Sequence, residues 1–137
     1  MKHLKSVVLD TSAIIRLYVP DGPIPEELIE TIENAEKGET EILSPELLTA
    51  EFFQVLLKKE NKGFLLSKEV DQICNSYMDL PIHFIAHAPL MTSALKIARQ
   101  YNITIYDSLF LSLAKKSNSR LITADALMKR VAEECLK

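Results

Sequence analysis

Four short aliphatic runs set the terms for this 137-residue chain: "SVVL" at 6–9, "EIL" at 41–43, "IHFI" at 82–85 and "RLIT" at 120–123. Each is closed by a polar or proline-containing turn, and helical periodicity fills the sequence between one run and the next. Strands separated in this way are joined by right-handed crossovers, which predicts a mainly parallel sheet with helices over both faces. The chain is therefore expected to be α/β rather than all-α.

The intervening stretches carry helix signals of their own. "SAIIRLYV" supports about two turns before Pro20, Gly22 and Pro23 stop it. "PEELIETIENAEKG", Pro25 to Gly38, opens with proline and acids and closes with lysine and glycine, the polarity of a solvated outer helix. "SPELLTAEFFQVLLKKEN" predicts Ser44 as cap, Pro45 at the first helical position and an apolar stripe through Leu48, Phe52 and Val55. "SKEVDQICNSYMDL", "APLMTSALKIARQYN", "DSLFLSLAKKSN" and "ADALMKRVAEECLK" complete the series. One domain of this length can enclose a core without staples, so Cys74 and Cys135, each inside a helical stretch, are expected to be unpaired thiols.

Several classes are disfavoured. No apolar run approaches the roughly 20 residues that span a bilayer. The opening "MKHLKSVVLD" meets a carboxylate too early for a secretory leader, so a cytoplasmic protein without a membrane partner is expected. Three glycines and no glycine-rich phosphate loop argue against a nucleoside-triphosphate enzyme. A net charge of -3 disfavours a protein that coats nucleic acid but leaves room for a nucleic-acid enzyme with metal-binding carboxylates among its 19 acids. His83 and His87 fall on strand and turn, the wrong geometry for a helical metal pair. Lys58, Lys59, Lys62, Lys115, Lys116, Arg120, Lys129 and Arg130 are candidates to guide a phosphate backbone, although solvated helix faces are their commoner role.

In parallel sheets ligands gather at the carboxyl ends of the strands. Asp10 follows "VVL" and Asp125 follows "RLITA", which places both at one sheet edge. Glu51 shares a helix face with Leu47, Leu48 and Val55, and Asp107 is in line with Phe110, Leu111 and Ala114. Each has a plain alternative. Asp10 and Asp125 suffice as helix caps, Asp107 as an N-cap with a Tyr106–Leu111 staple, and Glu51 as an acid at a wet edge marked by Gln54 or Lys58. Four carboxylates converging on one cleft, however, require protons or cations, and an all-oxygen set without thiolates suits Mg²⁺ or Mn²⁺ better than Zn²⁺. One or two such ions would serve phosphodiester hydrolysis, with Thr11, Ser12 and Thr123 orienting ligands or waters.

"VVLDTSAII", "ELLTAEFFQVL", "IYDSLFLSLAKK" and "RLITAD" resemble, in order and approximate spacing, the PIN-domain family, most closely its small VapC-like toxin ribonucleases. The match runs from about residue 6 to at least residue 125. The resemblance implies a three-layer α/β/α fold with a short, mainly parallel sheet of about four to five strands. It also implies a metal-dependent, single-strand-selective endoribonuclease whose products carry a 5′-phosphate and a 3′-hydroxyl. The acidic site would be Asp10, Glu51, Asp107 and Asp125, with Thr123 or Ser12 as supporting hydroxyl. Partners implied are RNA, a second copy in a homodimer, and a small antitoxin wrapping the active-site groove. Many relatives carry another acid after the final aspartate where this chain has Ala126, Leu127 and Met128. That departure keeps open a catalytically weak PIN scaffold acting as an RNA-binding or assembly module. A small-molecule phosphohydrolase is disfavoured, because "LDTSA" lacks the second aspartate of a D-x-D loop.

Overall fold

The computed structural model describes residues 4–137. The elements run β1 (Lys5–Leu9), α1 (Thr11–Tyr18), α2 (Leu28–Glu36), β2 (Thr40–Pro45), α3 (Leu47–Asn61), α4 (Ser67–Met78) and β3 (Ile82–Ile85). A single 3₁₀ turn (Ala88–Leu90) follows, then α5 (Met91–Tyr101), α6 (Ile105–Lys116), β4 (Arg120–Ile122) and α7 (Ala126–Cys135). All four expected strands form. Among the described residues they make one parallel sheet in the order β3-β2-β1-β4.

Successive strand residues face opposite sides of a sheet. Val7, Val8 and Leu9 are all buried, as are Ile42 to Pro45, so both faces of the two central strands are covered and the three-layer arrangement follows. Helix α6 packs against β1, β2 and β4. Its seven residues Ser108–Ala114 are buried without a break, because Ile97, Met128, Val131 and Cys135 form a smaller core with Leu111. A helix enclosed on every side must satisfy its polar groups internally. Ser108 donates to the Thr104 carbonyl at 2.8 Å, and Ser112 donates to the Leu90 carbonyl at 3.1 Å.

The joint between α3 and α4 is aromatic. Phe52 is fully buried and stacks on Tyr77, with ring centroids 4.5 Å apart and planes 19° from parallel. The Tyr77 hydroxyl reaches Thr49 Oγ1 at 2.8 Å, which satisfies its polar end. The buried stripe of α3 is Leu48, Phe52 and Leu56; Val55 lies on its flank.

Three helix starts differ from expectation. Ser44 and Pro45 do not open α3. They are the buried end of β2, where Pro45 sits opposite Ile85 and the next amide, Glu46 N, donates to the Ile85 carbonyl at 3.1 Å. Helix α3 instead begins at Leu47, whose amide donates to His87 Nε2 at 2.9 Å, so the imidazole beyond β3 supplies the cap expected of Ser44. Helix α2 starts at Leu28, because Glu27 takes a left-handed conformation (φ 72°) and ion-pairs with Arg120. Helix α6 starts two residues before Asp107, with Thr104 as its cap. Cys74 and Cys135 are free thiols, as expected.

Phe52→Ala removes the stacked ring and leaves a cavity between α3 and α4. Urea unfolding should show a loss of about 3–5 kcal/mol, the usual cost of a buried aromatic truncation. A loss under about 1 kcal/mol would mean that this joint contributes little to the core.

Candidate active site

In the observed strand order the chain leaves β1 for β2 on one side, while β4 lies on the other, so the order reverses between β1 and β4. Leu9 and Ile122 are paired across those strands. The residues just beyond them, Asp10 and Thr123, therefore emerge side by side at the crevice where doubly covered parallel sheets bind ligands.

Asp10 is only 5% exposed, and both its oxygens are engaged. Oδ1 accepts from the Ser12 hydroxyl at 2.7 Å and from the Ala13 amide at 3.0 Å; Oδ2 accepts from the Thr123 hydroxyl. Asp10 thus caps α1, as its plain alternative held, while remaining at the cavity wall. Ser12 Oγ lies 3.1 Å from Thr123 Oγ1 and accepts from the Ala124 amide at 2.9 Å. Thr123 Oγ1 accepts from the Asp125 amide at 3.1 Å. These bonds tie the turn after β1 to the turn after β4.

Asp125 is likewise a cap, its Oδ1 accepting from the Met128 amide at 2.9 Å. Asp107 is not. It occupies the third position of α6, where Thr104 Oγ1 accepts from its amide at 3.1 Å. The Tyr106–Leu111 staple does not form, since Tyr106 is 59% exposed. Glu51 is half-buried on the flank of the α3 stripe and accepts from the Thr11 hydroxyl at 2.6 Å.

The four acids open onto one cavity of about 580 Å³, together with Thr11 and Ser12. Of the seven residues singled out in the sequence, only Thr123 stays behind the wall, buried against Asp10. The proton affinities of Asp10, Glu51 and Asp107 report the crowding. Burial pushes the Asp10 carboxyl up to about 6 against the pull of its hydrogen bonds, and the charge of Asp107 adds to the rise. Burial also raises Glu51, with Asp107 contributing, and raises Asp107, with Asp125 contributing. None of the four makes an ion pair among the described residues, where the two that form are Lys59–Asp21 and Arg120–Glu27.

A set of unpaired, mutually repelling carboxylates without a thiolate has the chemistry of a hard divalent cation site. No three His, Cys, Asp or Glu side chains among the described residues already enclose a common point. His83 is exposed and His87 caps α3, so neither histidine belongs to the site. Of the basic candidates, Arg120 pairs with Glu27 beside the amino end of β4, away from the acids, and Lys116 donates to the Pro89 carbonyl at 2.5 Å. Lys59 reaches the cavity rim through Asp21.

Arg16 lines the cavity too, as does Gln54, which the sequence offers only as the mark of a wet edge. Their spacing would have found them: Arg16 follows Ser12 by one helical turn and Gln54 follows Glu51 by three residues.

The family model for the PIN domain matches residues 7–134. Ribonuclease VapC3 of Pyrobaculum aerophilum is 29% identical over 123 residues, covering 87% of this chain and 88% of that protein. Among solved structures, PAE2754 from Pyrobaculum aerophilum superposes with a TM-score of 0.65 at 19% identity, over 97% of this chain and 87% of that one. VapC20 of Mycobacterium tuberculosis, described as a sarcin-ricin loop cleaving toxin, gives 0.61 at 10% identity over 90% and 93%. Both structural likenesses speak for the fold.

The raised Asp10 carboxyl has a signed consequence for the ion-free protein. An acid whose folded pKa lies above its ordinary 3.8 contributes stability that is fully present below 3.8 and is lost as pH rises through about 6. Asp10→Asn keeps the cap and abolishes that titration. In EDTA, variant and parent should be nearly equal at pH 4, and the variant should be more stable by about 3 kcal/mol at pH 7.5. A parent more stable than the variant at pH 7.5 would show that Asp10 is not strained by burial.

Proposed function

The chain belongs to the PIN domain family, and from that premise we propose that it is a metal-dependent endoribonuclease that hydrolyses RNA phosphodiester bonds as the toxin of a type II toxin–antitoxin pair. The observation that carries this reading is the delivery of four unpaired carboxylates, from the ends of β1 and β4 and from α3 and α6, into one cavity at the switch point of the sheet. The VapC names of its relatives support the assignment to RNA and to a toxin. The protein would act in the cytoplasm as a homodimer held in check by a small antitoxin. No helix of the described residues is long and apolar enough to cross a membrane.

Asp10, Glu51, Asp107 and Asp125 would hold one or two Mg²⁺ or Mn²⁺ ions, which supply a lowered pKa to an attacking water and stabilisation to the leaving oxygen. The chain's own residues prepare that chemistry. Thr123, Ser12 and the Ala13 amide fix Asp10 from behind, so its carboxylate is aimed before any substrate arrives. The Thr11 hydroxyl fixes Glu51 across the cavity. Asp107 and Asp125, carried by α6 and the start of α7, open onto the same cavity. In the ion-free protein Asp10 holds its proton up to about pH 6, so an entering cation must displace that proton and Mn²⁺ binding should weaken as pH falls below that value.

Purified Asp10→Asn should fold, bind Mn²⁺ far more weakly by calorimetry, and lose about a thousandfold or more in cleavage of single-stranded RNA. Glu51→Gln and Asp107→Asn should weaken Mn²⁺ binding as well. A parent that binds RNA yet shows neither Mn²⁺ binding nor cleavage would identify an inert RNA-binding scaffold, the alternative suggested by Ala126, Leu127 and Met128 after the last acid.

A further inference from the structure

The donor inventory of the cavity leaves one problem for a polyanionic substrate. Its hydroxyls are committed, since Thr11 donates to Glu51 and Ser12 donates to Asp10. Its carboxylates repel phosphate, and a fifth acid at the rim, Asp21, is already paired with Lys59 at 2.7 Å. Arg16 is the one lysine or arginine among the lining residues, and it makes no ion pair with any acid there among the described residues.

Its guanidinium folds back over the loop that follows α1. Arg16 Nη1 donates to the Pro23 carbonyl at 3.2 Å, and the side chain lies so close over Gly22 that a Cβ there would come within 2.6 Å of Cζ. The Asp21–Lys59 pair anchors the same loop to α3. One of five guanidinium N–H donors is used, and four remain on a rigid planar fork. An unpaired arginine beside a carboxylate cavity, with most of its donors free, matches the bidentate recognition of phosphate.

We infer that Arg16, folded over Gly22 and donating to the Pro23 carbonyl, binds a phosphate of the nucleic-acid backbone at the mouth of the acid cavity. This assignment rests on the ribonuclease reading for the identity of the polymer, but its chemistry requires only a phosphodiester. Gly22 is part of the device: any side chain there must displace the guanidinium without removing its charge.

The test measures steady-state cleavage of a single-stranded oligoribonucleotide with Mn²⁺, Mn²⁺ affinity by calorimetry, and thermal midpoints for Arg16→Gln, Arg16→Lys and Gly22→Ala. Arg16→Gln should raise KM roughly tenfold or more, as for a lost hydrogen bond between charged groups. The slope of log(kcat/KM) against log[salt] should fall in magnitude by about 0.7, one phosphate contact on a single strand. Arg16→Lys should recover part of the loss. Gly22→Ala should raise KM while keeping the parental midpoint, which a mere strut for the loop would not do. Mn²⁺ affinity should be no weaker than the parent's in all three. A parental KM and salt slope in Arg16→Gln overturns the proposal, as does a KM rise that merely follows weakened Mn²⁺ binding. If the parent cleaves no RNA, the ribonuclease reading falls by itself and Arg16 is judged on bis(p-nitrophenyl) phosphate. A raised KM for that diester in Arg16→Gln upholds the phosphate contact; a parental KM, or no turnover by the parent, overturns it.

Discussion

The buried Asp10 carboxylate is the constraint around which the rest of the site is arranged. A carboxylate at 5% exposure is costly in water-free surroundings, and here it is accommodated by three hydrogen bonds from two different turns. Two of these come from its own helix start, Ser12 and Ala13, and one from Thr123 after β4. The register Leu9↔Ile122 makes this possible, because any slip of β4 against β1 would carry Thr123 out of reach. The network therefore fixes the relation between the two strand ends that flank the switch point, and Asp125 follows from it, its amide donating to the Thr123 hydroxyl.

The hydrogen bonds do not cancel the burial penalty, which is why Asp10 still binds its proton more tightly than an exposed aspartate. That residual strain is shared. Asp107 raises both Asp10 and Glu51 and is raised in turn by the charge of Asp125, so the strain of Asp10, Glu51 and Asp107 is coupled. A cation entering the cavity would relieve all of them together. The fold holds Asp107 through α6, seven of whose residues are enclosed by the two cores.

Much of this was legible in the sequence because short-range signals carried it. The four strands announced themselves as aliphatic runs between turns, and their carboxyl ends pointed to Asp10 and Asp125. Resemblance to a family added what spacing alone left undecided for Glu51 and Asp107. What stayed hidden depended on contacts between segments distant in sequence. Ser44-Pro45 has the local form of a helix start, yet pairing with β3 claims it for the sheet, and His87, forty residues on, caps the helix instead. Asp107 has the local form of a cap, yet Thr104, three residues earlier, takes that position. Beyond its spacing from Ser12, nothing local marks Arg16 in the sequence; only the loop of Gly22 and Pro23 folding back onto it places an unpaired guanidinium at the cavity.

The opposition between helix cap and functional ligand dissolves once the lone pairs are counted. A carboxylate offers about four acceptor positions. Capping takes one of them from Asp125, through the Met128 amide, and three are taken from Asp10. Each keeps at least one acceptor position unused. Capping also does positive work for the site, because a residue locked to its helix amides cannot rotate away from the opening it lines. An aspartate at the junction of a parallel strand and the following helix is therefore oriented by the secondary structure itself, with no further scaffold required. Glu51 and Asp107, which lie inside helices and lack that device, are the two for which the chain supplies a separate means: the Thr11 hydroxyl for Glu51 and the Thr104 cap, which fixes the first turn of α6, for Asp107.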